Sequence, residues 1–140
     1  MIANRSMPAA VVIPELAYRD VSEAVGWLCD SFGFTLRLRI ANHRAQLNVG
    51  AGAIVVTQAN ALDFQLMAGI NRQIGIMVRV DDVDLHFARV SRSMARLISK
   101  PTDHPYGERQ YACLDLGGYT WTFSQTIADI APESWGGALS

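Results

Sequence analysis

The sequence has too few cysteines and too even a charge for several classes of protein. Its 140 residues include only two cysteines, Cys29 and Cys113, which cannot build a disulfide framework and indicate a reducing, cytoplasmic location. We expect both to be small core or half-buried residues. Basic and acidic residues number 12 and 13, so the chain offers no charged surface for nucleic acid or an anionic membrane. No apolar run is long enough for a membrane span or a signal-peptide core.

The sequence also lacks the common motifs of covalent and redox chemistry. It has no glycine-rich phosphate loop between a strand and a helix, no serine nucleophile elbow and no CxxC pair. Half of its residues are apolar, which argues against disorder. A chain of this length can bury a core, and we predict one domain over residues 1–140.

The first half of the chain predicts a strand, a helix and three further strands. Residues Val11–Tyr18 are rich in β-branched side chains, and Pro14 indicates an edge or a kink. Asp20 is the predicted cap of a helix with apolar residues at helical spacing, and Gly33 is its predicted end. The three strands that follow are Phe34–Ile40, Arg44–Val49 and Ala53–Ala59.

The second half repeats this order. Ile74–Val80 is a predicted strand, and Asp82 is the predicted cap of a helix. The turn residues of the segment 101–107 predict a loop between the next two strands. The apolar positions of this helix are Val83, Phe87, Val90 and Met94, and the strands are Arg96–Ser99, Glu108–Leu114 and Tyr119–Gln125.

Individual residues repeat along with the elements. Asp20-Val21 corresponds to Asp82-Val83 at an offset of 82 − 20 = 62, and Thr57-Gln58 corresponds to Ser124-Gln125 at 124 − 57 = 67. Such an internal duplication is an architectural signal. We therefore predict an α+β fold of two tandem βαβββ modules. Module 1 spans about residues 11–59 and module 2 about 73–125, with a linker at 60–72 and a tail at 126–140.

The last predicted strand separates two kinds of side chain. Because side chains alternate along a strand, Tyr119, Trp121 and Phe123 share one face. Small hydroxyls at 120, 122 and 124 share the other. We expect the aromatic face to be packed beneath a helix and the hydroxyl face to line a space.

Nearly the whole chain, about Val11 to Gln125, resembles the vicinal oxygen chelate superfamily of glyoxalase I, bleomycin-resistance proteins and extradiol dioxygenases. The stretches that carry the resemblance are "AYRDVSEAVGWLCDSFGF", "VRVDDVDLHFARV" and "PYGERQYACLDLGGYTWTFSQ". They are more similar to the glyoxalase-like and PhnB-like branches than to glyoxalase I itself. The resemblance implies a curved, cup-shaped mixed sheet with helices on the outside. It does not imply any one reaction, since one fold carries many functions.

The resemblance also implies where metal ligands would lie, on the first and last strands of each module. Those positions here are Ile13, Val55, Gly75 and Thr122, none of which is a usual ligand of a divalent metal. A register shifted by two residues would replace Ile13 and Gly75 by Glu15 and Met77, which still do not make a metal site. The histidines at 43, 86 and 104 are interpreted as exposed or hydrogen-bonded residues. We predict no metal and no cofactor.

A metal-free cup would take a small molecule through a few side chains. Glu15 and Arg79 are charges on faces that would point into the cup. They either pair with each other or reach its rim, or they orient a polar ligand, with Glu15 as a candidate base. Tyr106 is a candidate lid residue, and Arg109 forms either a structural ion pair or an anion site. The predicted ligand-binding residues are Ile13, Val55, Met77, Arg79, Tyr106, Arg109, Thr120 and Thr122.

Three functions remain open from the sequence. The first is binding of a small organic molecule without the usual metal. The second is catalysis by a glyoxalase-like lyase or isomerase, or by a dioxygenase-related enzyme with an atypical site. The third is a structural or interaction role, if bulky side chains fill the cup. We also predict a homodimer, because the tail segment 127–137 carries apolar residues with no place in the repeat and must pack on the chain itself or on a neighbour.

Overall fold

A computed structural model describes residues 2–60 and 74–140. The chain divides into two compact units, residues 1–71 and 72–140. The predicted linker, apart from Asn60, lies outside the described residues. In the part of the chain that is described, no helix is long and apolar enough to cross a membrane.

Each unit contains one βαβββ module with a four-stranded mixed sheet, as the repeat predicts. The sheet orders are β1-β4-β3-β2 and β5-β8-β7-β6, and the first strand of each module is parallel to the last. Module 1 consists of β1 (Glu15–Tyr18), α1 (Val21–Phe32), β2 (Thr35–Ile40), β3 (Arg44–Val49) and β4 (Gly52–Gln58). Module 2 consists of β5 (Gly75–Arg79), α2 (Val83–Ser91), β6 (Arg96–Asp103), β7 (Glu108–Leu114) and β8 (Thr120–Thr126).

The helices begin at the predicted caps. A carboxylate oxygen of Asp20 accepts a hydrogen bond of 2.9 Å from the amide of Glu23, and one of Asp82 accepts a 3.0 Å bond from the amide of Leu85. These bonds satisfy amides at the first turn that have no partner within the helix. α1 ends at Gly33, whose φ of 80° is the left-handed conformation that glycine adopts without strain.

The repeated glutamine at the end of each last strand also has a structural role. The side-chain amide of Gln58 donates to the carbonyl of Arg19, just before α1. The side-chain oxygen Oε1 of Gln125 accepts a 2.9 Å hydrogen bond from the backbone amide of Val83, the first residue of α2. Both glutamines therefore connect the last strand of a module to the start of its helix.

The aromatic face of β8 lies in the core of module 2, as predicted. Trp121 and Phe123 are fully buried. Two side chains of α2 pack there: His86 lies 4.0 Å from Phe123 between ring centroids, and Phe87 contacts Tyr111 edge-on. His86 also shares a hydrogen bond with the Tyr111 hydroxyl, so this histidine is hydrogen-bonded, as expected.

The first strand begins four residues later than the pattern predicts, at Glu15 rather than Val11. Pro14 has no amide hydrogen to donate, although its carbonyl accepts a 2.9 Å bond from Val55. Val11 and Val12 lie outside the sheet and are exposed. Their β-branched side chains produced a strand pattern that no neighbouring strand supports.

Two boundaries in module 2 also differ from the prediction. β6 continues through Pro101 to Asp103, so the loop is confined to residues 104–107. β6 is the edge strand and its register shifts between Ser99 and Thr102, a setting that tolerates proline. α2 ends at Ser91, and Met94 is exposed rather than part of the apolar stripe.

Candidate functional site

One side of the second sheet is free of its helix and carries polar side chains. Residues that are register partners on neighbouring strands point to the same side of a sheet. Met77 of β5 is the partner of Thr122, and Arg79 is the partner of Ser124, which is also the partner of Gln110. We call this side the open face of module 2; it includes Met77, Arg79, Glu108, Gln110, Thr120, Thr122 and Ser124.

A chain of hydrogen bonds crosses the open face of module 2. The Tyr106 hydroxyl donates to Gln110 Oε1 at 3.2 Å, and Gln110 Nε2 donates to the Ser124 hydroxyl at 3.0 Å. That hydroxyl in turn donates to Glu108 Oε1 at 2.7 Å. Ser124 is buried and satisfied as both donor and acceptor. This series of hydrogen bonds fixes the orientation of the four side chains before any ligand binds.

Glu108, the last acceptor in this series of hydrogen bonds, is an ionised carboxylate. Hydrogen bonds from the hydroxyls of Thr126 and Ser124, helped by the positive charge of Arg79, hold the pKa of Glu108 below its usual value. A general base works best with a pKa near the working pH, so a carboxylate with a lowered pKa is a poor base. The arrangement favours Glu108 as a fixed negative charge and acceptor.

Arg79 is the cation of the open face of module 2. Its side chain is exposed, and within the described ranges it forms no ion pair. The hydroxyls of Thr120 and Thr122 lie on the same face on the neighbouring strand and are half-buried, and Met77 lies exposed between Gly75 and Arg79. The register partners of Thr122 and Thr120 on β7 are Ala112 and Leu114, so the face combines a guanidinium and neutral hydroxyls with several apolar side chains.

The predicted residues of module 1 lie on the corresponding face of the first sheet. Glu15 is the register partner of Val55, and its carboxylate forms an ion pair of 2.7 Å with Arg44 on β3. Val55 is buried, and Ile13 precedes β1 and is half-buried. On the first strand of each module, the residues opposite Val55 and Thr122 are Glu15 and Met77, not Ile13 and Gly75. This is the alternative register, shifted by two residues, that the sequence analysis considered.

Arg109 and Tyr106 make contacts within module 2. The Arg109 guanidinium bonds Asp84 of α2 at 3.0 Å and Asp103 at 2.8 Å, the arrangement of a structural ion pair. Tyr106 stacks on His104 and meets the ring of Trp135 edge-on at 5.4 Å. The tail therefore packs in part on its own module, one of the two alternatives that the sequence left open.

Few of the described side chains suit a metal or a nucleophile. In residues 2–60 and 74–140, no three His, Cys, Asp or Glu side chains are grouped so that they could hold a metal ion. The cysteines are half-buried and buried, as expected. Burial raises the pKa of Cys29 and raises that of Cys113 to about 12, so neither is a reactive thiolate at neutral pH.

Sequence reasoning did not single out Glu108 and Gln110, although a signal was present. The turn at 115–118 makes Leu114 the partner of Thr120. Counting outward from that pair places Gln110 opposite Ser124 and Glu108 opposite Thr126. Because partners share a face, the register of this hairpin was sufficient to add both residues to the hydroxyl face.

The sequence matches the model of the Glyoxalase/Bleomycin resistance protein/Dioxygenase superfamily over residues 10–123. Among solved structures, TioX from Micromonospora sp. ML1 is 33% identical, with a TM-score of 0.69 over 87% of this chain and 100% of its own. A glyoxalase/bleomycin resistance protein/dioxygenase family enzyme from Burkholderia phytofirmans PsJN is 19% identical, with a TM-score of 0.68 over 85% of this chain and 100% of its own. The fosfomycin resistance protein FosX from Listeria monocytogenes is 11% identical, with a TM-score of 0.67 over 85% of this chain and 94% of its own. The last two likenesses concern the fold alone. No curated protein matches the sequence.

Proposed function

Because the chain belongs to the Glyoxalase/Bleomycin resistance protein/Dioxygenase superfamily, we propose that it binds a small organic molecule without a metal ion. The ligand lies on the open face of module 2 and carries an acidic or strongly polar group. Family membership supports a small-molecule ligand, while the side chains of this chain support its class.

The observation that carries the proposal is the position of Arg79. An exposed guanidinium without an ion-pair partner among the described residues is available to a ligand anion. Glu108 lies near enough to affect Arg79 electrostatically, but it is already bonded to two hydroxyls. Guanidinium groups bind carboxylates and phosphates with good geometry, so an anionic group on the ligand is the expected partner of Arg79.

The neighbouring side chains suit the remainder of such a ligand. Thr122 and Thr120 supply neutral hydrogen bonds, and Met77 supplies an adaptable apolar contact. A few polar groups that fix orientation beside apolar surface are typical of small-molecule sites.

Two features support binding over catalysis. The candidate base Glu15 is engaged by Arg44, and the lowered pKa of Glu108 makes that carboxylate a poor proton acceptor. The alternative prediction, a glyoxalase-like lyase or isomerase that uses Glu15 as base, has no further contact in its favour.

The absence of a metal is part of the proposal. By register, the residues facing one another on the first and last strands are Glu15 with Val55 and Met77 with Thr122. Only one of the four is a carboxylate, and stable binding of a transition metal requires several imidazole, thiolate or carboxylate ligands.

Replacing Arg79 by alanine should weaken the binding of the ligand and leave the fold intact. Loss of a charged hydrogen bond costs about 1.5–3 kcal/mol, a tenfold or greater loss of affinity. The melting temperature should change little, because the Arg79 side chain is exposed. The ligand is first identified by a thermal-shift screen of small aromatic acids and thiol conjugates, and its Kd is then measured by calorimetry.

The matched control is Arg92→Ala, which removes another exposed arginine, at the end of α2 on the helix side of the module. It should leave the Kd unchanged. Equal affinity of Arg79→Ala and the original protein would remove the basis of the proposed site. Unfolding of Arg79→Ala would instead show that Arg79 has a structural role.

We also propose that the protein is a homodimer. The tail contact with Tyr106 shows that part of the tail packs within its own module, so the support now comes from exposed apolar side chains. Leu97 and Ile98 lie exposed on the edge strand β6, and Met94 lies exposed just before it. Exposed apolar edges are typical of surfaces that associate. Sedimentation at tens of micromolar, on the order of the protomer concentrations that such dimers need, should give twice the chain mass; a monomer mass would contradict the proposal.

A further inference from the structure

The N-terminal segment Asn4–Pro8 lies on one side of the first sheet. We call this side, which carries Val55 and its register partner Gln46, the open face of module 1. The Gln46 side-chain amide donates a 2.9 Å hydrogen bond to the carbonyl of Ser6. The Arg37 guanidinium donates a 2.9 Å bond to the carbonyl of Arg5. Two side chains of the sheet therefore bind two consecutive backbone carbonyls of the N-terminal segment.

Arg37 and Gln46 are held in place by each other. The Arg37 guanidinium also donates to Gln46 Oε1, which turns the amide nitrogen of Gln46 toward Ser6. The register between β2 and β3 shifts between Leu36 and Leu38, so Arg37 is the extra residue of a bulge. Bulges commonly redirect a side chain out of the regular pleat. Gln46 is 3% exposed, so its amide would lose a buried hydrogen bond if Ser6 left without a replacement.

The segment has a local shape of its own. The side-chain oxygen of Asn4 accepts a 3.0 Å hydrogen bond from the amide of Ser6, and the backbone carbonyl of Asn4 accepts a 3.2 Å bond from the amide of Met7. Pro8 is buried, while the residues from Asn4 to Met7 are exposed. A segment held by two side-chain bonds and one buried proline belongs to the least stable part of a structure and can separate without global unfolding.

The face beneath the N-terminal segment belongs to the repeat, whereas the segment itself precedes the match to the family domain. Val55 corresponds to Thr122 at the repeat offset, but Val55 is buried and Thr122 is half-buried. The match to the superfamily begins at residue 10, after the segment. The segment therefore lies outside the part of module 1 that matches the superfamily.

We infer that the open face of module 1 is a peptide-binding site that the chain's own segment Asn4–Pro8 occupies reversibly. Arg37 and Gln46 bind the carbonyls of two consecutive residues, and a proline two residues further along is buried. The ligand class is a peptide that forms a turn with this spacing, and its occupant here is the N-terminal segment itself. The residues of this site belong to module 1, whereas the small-molecule site is proposed on residues of module 2.

The test is exchange of the segment with the same peptide in solution. A variant that lacks residues 2–8 is mixed with a fluorescent peptide of residues 1–10, and fluorescence anisotropy is measured. The truncated protein should bind the peptide saturably. The intact chain should bind it at least about tenfold more weakly, because a tethered segment competes at an effective concentration in the millimolar range.

Three controls make the result specific. Gln46→Ala in the truncated protein should lower the affinity for the peptide at least about fivefold, as expected for the loss of one hydrogen bond to a buried amide. Arg79→Ala should leave peptide binding unchanged, which separates this site from the one on module 2. A scrambled peptide should not bind. Binding of the peptide to the truncated protein no tighter than to the intact chain would overturn the inference.

A second variant covers the case in which the truncated protein does not fold. A site-specific protease sequence is inserted between Ala9 and Ala10, and the chain is folded before it is cut. The labelled peptide should then replace the cut segment, as detected by native mass spectrometry. A cut protein that retains its segment without exchange, or loses it and takes up no peptide, contradicts the inference.

Discussion

Replacing Asp115 by alanine is expected to lower the free energy of unfolding by about 3–5 kcal/mol, because it removes a buried charged acceptor from several donors. One carboxylate oxygen accepts hydrogen bonds from the amides of Gly117 at 2.8 Å and Tyr119 at 3.0 Å. The other accepts a 2.9 Å bond from the indole nitrogen of Trp121, which is fully buried. Alanine leaves the indole N–H without this acceptor in the core and removes the bonds that shape the turn into β8.

Urea denaturation followed by circular dichroism measures this loss. The matched control is Asp103→Ala in the same module, which removes an exposed carboxylate from an ion pair while Arg109 keeps its bond to Asp84. Exposed ion pairs contribute less than about 1 kcal/mol, so this control should be nearly as stable as the original protein. Equal losses in the two variants would show that Asp115 does not organise the turn.

Gly107→Ala should be the second strongly destabilising change, by about 2–4 kcal/mol. Gly107 has a φ of +83°, where an L side chain costs about 1–2 kcal/mol. A Cβ at this position would also lie 2.1 Å from the carbonyl oxygen of Ala128. The tail must then move away, with loss of the bonds that the amides of Ile127 and Ala128 donate to the carbonyl of Gly107, each worth about 0.5–1.5 kcal/mol.

Hydrogen exchange at the amide of Ile127 reports the displacement of the tail, and urea denaturation reports the stability. Gly50→Ala is the matched control, since Gly50 has a φ of +56° but a Cβ there would meet nothing within 4 Å. It should show only the conformational cost. If Ile127 stays protected in Gly107→Ala and both variants lose the same stability, the contact between the tail and the loop does not contribute as described.

The features that the sequence predicted are those with local causes. Asp20 and Asp82 each bond an amide three residues away, and the alternation of β8 depends only on the period of a strand. Short-range chemistry of this kind can be recognised in any window of sequence. The tandem modules were recognisable because the same local signals occur twice, in the same order.

Glu108 and Gln110 could have been found from the register of a local hairpin, but the other features that the sequence did not reveal depend on distant partners. The β-branched residues at 11–13 resemble a strand, but β1 begins only where β4 offers partners, at Glu15. Glu15 pairs with Arg44, which is 29 residues away. The bonds from Arg37 and Gln46 to the N-terminal segment span 32 and 40 residues. No periodicity reports which side chain will meet which carbonyl over such separations.

Binding of a small organic molecule without a metal can be tested by a thermal-shift screen of small aromatic acids and thiol conjugates, performed with a chelator present and again with added zinc, nickel, manganese or iron(II). A ligand that binds only the folded state raises the melting temperature, by an amount that grows with the logarithm of the ratio of its concentration to its Kd. At least one compound should raise the melting temperature, and by the same amount with the chelator as with each metal. Stabilisation that appears only with a metal, or no stabilisation by any compound, would contradict it.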